Sequence, residues 1–185
     1  MINDVINDAK LKMQRTCDAL KAELAKMRTG RASPSILDDI RVEYYGTLAP
    51  LNQVSNISVP DARLITIQPW EANMVQVIEK ALLKSGLGLT PSHDGKIIRL
   101  PIPPLTEERR KELVKYVKKL GEDSKIAVRN IRRDCNEHCK KLEKSEHVSE
   151  DELKRGEEQI QKLTDETIKH VDEIVVHKEK EIMTV

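Results

Sequence analysis

Apolar residues recur along the first 27 positions at steps of three and four. Ile6, Ala9, Met13, Cys17, Leu20, Leu24 and Met27 form a narrow stripe of the kind that faces a helix bundle. A helix is predicted from Asn3 or Asp4, both good N-caps, to Arg28-Thr29-Gly30, with Gly30 at the left-handed C-cap position. Two longer stripes follow much later. Leu113, Val117, Leu120, Ala127, Val128, Ile131, Cys135 and Leu142 predict a second long helix, opened by Thr106-Glu107-Glu108 and ending near Lys144. Leu153, Ile160, Leu163, Thr167, Val171, Ile174 and Ile182 predict a third. It opens on Ser149-Glu150-Asp151-Glu152, a capping box. The short connection from Ser145 to Val148 implies that these two helices run antiparallel.

Between the first and second stripes the pattern changes. All eight prolines fall between Pro34 and Pro104. Proline inside a helix costs about 3 kcal/mol, so the long helices are confined to the flanks. Ile40 to Tyr45 alternates, with Gly46-Thr47 able to turn the chain, and Ile57-Ser58-Val59 and Leu64 to Ile67 flank Pro60-Asp61-Ala62-Arg63. Residues 71–85 read as one helix, with Met74, Ile78, Ala81 and Leu82 on one side. Leu87 to Thr90 and Lys96 to Leu100 flank His93-Asp94-Gly95, a hairpin signal. Trp70 is expected to anchor the packing of this region.

The predicted fold class is α+β: a long antiparallel three-helix bundle from residues 1–30 and 105–185, with a small α+β domain inserted at 31–104. The insert leaves and returns at the same end of the bundle, so two connections join the parts. One holds Gly30, Arg31, Ser33 and Pro34; the other holds Pro101, Pro103, Pro104 and Leu105. Prolines make the second extended and stiff. A double connection near 30–34 and 101–105 restricts motion to a hinge.

Composition narrows the function. Charged residues make up 34% and aromatics 2%, with no Phe, which disfavours aromatic binding grooves. No apolar run approaches the ~20 residues that span a bilayer, and the N-terminus lacks signal or transit character, so a cytoplasmic protein without a membrane partner is expected. Net charge is +1, but residues 105–145 carry +5 and residues 146–185 carry −6. Lys111, Lys115, Lys118, Lys125, Arg129, Arg132, Arg133 and Lys140 share one face of the second helix, centred roughly 140° from its apolar stripe. Such a stripe either pairs with the acidic third helix or binds a polyanion. The cluster Arg129, Arg132 and Arg133 favours the polyanion, because guanidinium groups grip phosphate bidentately. With few aromatics to stack on bases, structured RNA suits it better than single strands.

Other chemistry is weakly supported. Cys135, His138 and Cys139 share a helical face, but zinc sites rarely take three ligands from one helix, so packing or boundary roles are expected, with Cys17 likewise a reduced, partly buried thiol. His170 and His177 read as boundary residues. No nucleophile–base pair or phosphate loop is recognisable. No metal, cofactor or catalytic residue is therefore expected.

Four segments carry a resemblance. Lys26-Met27-Arg28-Thr29-Gly30-Arg31-Ala32-Ser33-Pro34, Val42-Glu43-Tyr44-Tyr45-Gly46, Pro103-Pro104-Leu105-Thr106-Glu107-Glu108-Arg109-Arg110 and Ala127-Val128-Arg129-Asn130-Ile131-Arg132-Arg133-Asp134 are together similar to bacterial ribosome recycling factors, in that family's order and spacing. The resemblance implies an L-shaped monomer that is not itself an enzyme. It implies binding to the post-termination ribosome, mainly large-subunit ribosomal RNA. With elongation factor G and GTP hydrolysis by that partner, the ribosome is split, and messenger and transfer RNA are released. Arg129 and Arg132 would lie on the ribosome-contacting face, and the hinge and insert would meet the elongation factor. The candidate RNA-contacting set is Arg129, Arg132, Arg133 and Lys125, with Arg28 and Arg110. The alternatives are a coiled-coil adaptor or chaperone without an RNA partner, and a metal-dependent enzyme built on the Cys/His cluster.

Overall fold

The computed structural model describes residues 1–146 and 148–184. The three long helices are α1 (Ile2–Ala25), α3 (Glu107–Glu146) and α4 (Glu150–Met183), with the shorter α2 (Met74–Lys84) between them in the insert. Two of the predicted starts are capped as expected. Thr106 Oγ1 accepts the Arg109 amide at 3.2 Å. Ser149 Oγ accepts the Glu152 amide at 3.3 Å while Glu152 accepts the Ser149 amide at 3.2 Å, the reciprocal box. Of the expected turn between these helices, residue 147 lies outside the described residues.

In the bundle, Val5 and Ala9 of α1 pack with Cys135 and Cys139 of α3 and Ile160 of α4. Ile2 meets Gly156, and the Thr167 hydroxyl reaches Met13 Sδ at 3.6 Å, so α1 and α4 run parallel. Lys125 pairs with Asp172 and Lys140 with Glu157, so α3 runs antiparallel to α4. All three cysteines are buried, and burial pushes each thiol above its ordinary 9.0. Folded thiols therefore stay protonated where unfolded ones ionise, so this contribution to stability holds below pH 9.0 and fades above it. With a thiol-specific chromophoric reagent at pH 8, the native chain should react on the order of a hundredfold more slowly than the unfolded chain. Fast labelling of the native protein would contradict the burial.

The insert holds two antiparallel sheets. The hairpin β1 (Arg41–Tyr44) and β2 (Thr47–Pro50) stands alone, and β3 (Ser55–Asp61), β4 (Leu64–Pro69), β5 (Ser92–His93) and β6 (Ile98–Pro101) pair in the order β3-β4-β6-β5. Ile65 and Ile67 of β4, Ile98 and Leu100 of β6, and Ile78 and Leu82 of α2 form a core with Val42 and Leu51.

Several local expectations are corrected. α1 stops at Ala25, not at Gly30. Gly30 does adopt φ +75°, but its role is close approach: a Cβ there would lie 3.0 Å from Leu105 Cγ. Residues 87–90 form no strand; Gly86 and Gly88 have positive φ, and the Leu87 carbonyl is taken by Arg28 Nη1 at 2.7 Å. β3 runs through Pro60, which the register tolerates by shifting between Ser58 and Asp61. α2 starts at Met74, three residues later than expected, after a turn in which the Met74 amide donates to the Glu71 carbonyl at 3.0 Å. Trp70 is no anchor, being 60% exposed.

The chain divides into two compact units, 1–25 with 111–183, and 26–110. Both connections are fastened inside the second. Ala32 donates to the Ala62 carbonyl at 2.8 Å and Ile102 to the Arg63 carbonyl at 2.7 Å, so both grip the β3–β4 turn.

Candidate nucleic-acid interface

The face is built on α3, whose 40 residues give a long basic support opposite a buried stripe of Leu113, Val117, Val128, Cys135 and Cys139. Its charges are not equivalent. The Lys125 side chain is only 15% exposed, with Nζ 2.6 Å from Glu122 and 2.9 Å from Asp172. Hydrogen bonds to Glu122 and then Asp172 push its pKa above 10.5, so the ammonium is neutralised locally and secures α3 to α4. Lys140 lies 3.8 Å from Glu157. These two lysines serve helix pairing.

The arginines differ. Arg129 is half-buried and Arg133 exposed, and among the described residues neither lies within ion-pair distance of a carboxylate. Arg132 is held by a neutral partner, Nη1 donating to Gln161 Oε1 at 3.0 Å. Gln161 is itself set by its amide, which donates to Asp165 Oδ1 at 2.9 Å. A neutral acceptor orients the guanidinium without cancelling its charge. Three arginines within five positions thus keep their positive charge on one rigid helix, and a guanidinium fork suits phosphate oxygens.

The remaining candidates lie elsewhere. Arg28 belongs to the unit of residues 26–110 and donates to the Leu87 carbonyl, where it braces the chain after α2. Arg110 is half-buried at the end of that same unit. Of the hinge residues, Ser33 caps a short 3-10 turn at Pro34–Leu37 by accepting the Ser35 amide, and Gly30 meets Leu105. Cys135 and Cys139 point into the core while His138 is exposed, so the three do not converge. Among the described residues no three His, Cys, Asp or Glu could hold a metal ion. No described helix is long and apolar enough to cross a membrane.

Gln161 and Asp172 were not foreseen. Their signal lay in the antiparallel register of α3 and α4, which the short turn fixes but whose facing pairs depend on helix rotation.

Comparison with known proteins points one way. The sequence model described as "Ribosome recycling factor" matches residues 20–183. The chain is 58% identical over 184 residues to the ribosome-recycling factor of Clostridium kluyveri and 56% over 185 to that of Bacillus licheniformis, covering 100% of the first pair and 100% of this chain in the second. A solution structure of a ribosome recycling factor superposes with a TM-score of 0.78 at 43% identity, covering 100% of this chain and 98% of that one. The T. thermophilus ribosome recycling factor, described with E. coli elongation factor G bound to the E. coli post-termination complex, superposes at 0.65 with 45% identity and 99% coverage of both chains. The chain belongs to the ribosome recycling factor family.

Proposed function

We propose that this chain acts as a monomer in the cytoplasm on the post-termination ribosome. Its α3 arginines hold phosphates of large-subunit ribosomal RNA. The bundle is the anchored part and the insert the moving part, and elongation factor G drives the insert through the two connections. GTP hydrolysis belongs to that partner; this chain needs no catalytic group and no cofactor. The observation that carries the reading is the uncompensated charge of Arg129, Arg132 and Arg133 on one face of a long helix. The family's relative bound with elongation factor G to a post-termination complex supports it.

Light scattering tests it. Post-termination ribosomes mixed with the chain, a cognate elongation factor G and GTP should lose scattering as subunits separate. The loss should need GTP and both protein factors. An unchanged signal would favour an adaptor whose α3 charges serve only α4, as Lys125 and Lys140 do.

A further inference from the structure

The insert carries an aromatic cluster that the α3 interface does not use. Tyr45 sits in the β1–β2 turn at φ 47°, a left-handed conformation that bulky residues rarely adopt. Its side chain is nevertheless 79% exposed, so core packing does not explain it. The Tyr45 hydroxyl donates to Glu71 Oε2 at 3.0 Å, and the Tyr44 hydroxyl donates to Oε1 at 2.6 Å. The two rings meet edge to face with centroids 4.5 Å apart. Trp70, next to Glu71, is also exposed, and its indole N–H donates to Asn56 Oδ1 at 3.2 Å. Tyr44 and Tyr45, two of the chain's three tyrosines, hold one carboxylate between them, and the single tryptophan precedes it in sequence.

The cluster is rigid and anionic. Both phenols and the indole are already fixed by hydrogen bonds, so little side-chain freedom is lost when a partner binds. Glu43 adds an exposed second carboxylate on β1, while Arg41, the cation of the same hairpin, is turned to the carbonyls of Asp38 and Ile40. Aromatic faces beside an uncompensated carboxylate attract a guanidinium or ammonium and repel phosphate.

We propose that Tyr45 and Glu71 form a docking site for a protein segment that presents an arginine or lysine side chain. The cation lies against the Tyr45 ring and Glu71 supplies the counter-charge. The hydrogen bond to Glu71 pushes Tyr44 up to about 12, so the phenol remains a neutral donor. The site is independent of RNA binding by α3. It assigns polyanion contact to the bundle and cation contact to the insert.

Trp70 is the single tryptophan and precedes Glu71 in the chain, so its emission serves as a nearby reporter. The full chain is titrated at low ionic strength with a hexa-arginine peptide, a hexa-glutamate peptide and oligouridylate. Saturable change is expected with hexa-arginine alone. Tyr45→Asn and Glu71→Gln should each weaken it about tenfold. Asn fits the left-handed turn better than Tyr, so Tyr45→Asn should fold at least as well, as circular dichroism would verify. Emission indifferent to hexa-arginine, unchanged affinity in either variant, or a preferential response to oligouridylate would overturn the site.

Discussion

Replacing Arg129 and Arg132 together by alanine should weaken binding to the large ribosomal subunit about a hundredfold, with little change in the unfolding midpoint. Each charge-assisted hydrogen bond to phosphate is worth about 1.5–3 kcal/mol, so two lost at the lower end give about 3 kcal/mol. Neither side chain belongs to the buried stripe of α3, and the one cross-helix bond lost runs to the exposed, neutral Gln161, so the bundle should hardly notice. The salt dependence offers an independent reading. Each phosphate contact removed should lower the slope of log K against log salt by roughly 0.7–0.9. Gln161→Ala separates orientation from charge. It removes the acceptor at 3.0 Å from Arg132 but keeps the guanidinium, so affinity should fall several-fold at an unchanged slope. By contrast Lys125→Ala should cost stability more than affinity, because its ammonium is already committed to Glu122 and Asp172. An Arg129→Ala, Arg132→Ala protein that binds with parental affinity across the salt series would remove the phosphate-anchor role.

The largest stability effect in the bundle should come from the smallest change. A Cβ at Gly121 would lie 2.5 Å from Val175 Cγ2. Val has one strongly preferred rotamer in a helix, so it cannot swing aside, and α3 and α4 would have to separate. Overpacking of this kind costs about 1–3 kcal/mol, which outweighs the roughly 1 kcal/mol that Ala gains over Gly in helix propensity. Gly121→Ala should therefore lower the urea midpoint of the bundle. Val175→Ala in the same chain should restore it, because the clash disappears and the propensity gain remains. A coupling of about 1–2 kcal/mol between the two sites is expected from the double-mutant cycle. Additive effects would mean that the two helices are not in contact at this point.

The helices were legible because their signals are local. Proline confinement, the Thr106 cap and the Ser149 box each act within four residues of the element they start, and the structure places α3 and α4 accordingly. The arginine cluster was legible for the same reason, since helical periodicity alone puts Arg129, Arg132 and Arg133 on one face. What escaped depends on distant partners. Whether a charge in that stripe is free is decided by residues some 30 to 50 positions away, Gln161 for Arg132 and Asp172 for Lys125. Leu87 to Thr90 looked like a strand, but its carbonyl at Leu87 is claimed by Arg28 across 59 positions of sequence. Trp70 reads as a packing anchor in the sequence, whereas it lies 60% exposed with its indole bonded to Asn56. Gly46-Thr47 reads as a turn, but β2 after it escapes because its four residues, Thr47 to Pro50, are few and end in proline.

The paired grip on the β3–β4 turn has a bearing on modularity. Ala32 and Ile102 bind adjacent carbonyls, at Ala62 and Arg63, so the two ends of the insert are fastened side by side by a residue pair that the insert itself provides. A segment that closes its own boundary in this way needs nothing from its host to keep its ends in place. Such a module holds its ends in register without the bundle, which is what insertion of one folding unit into another requires.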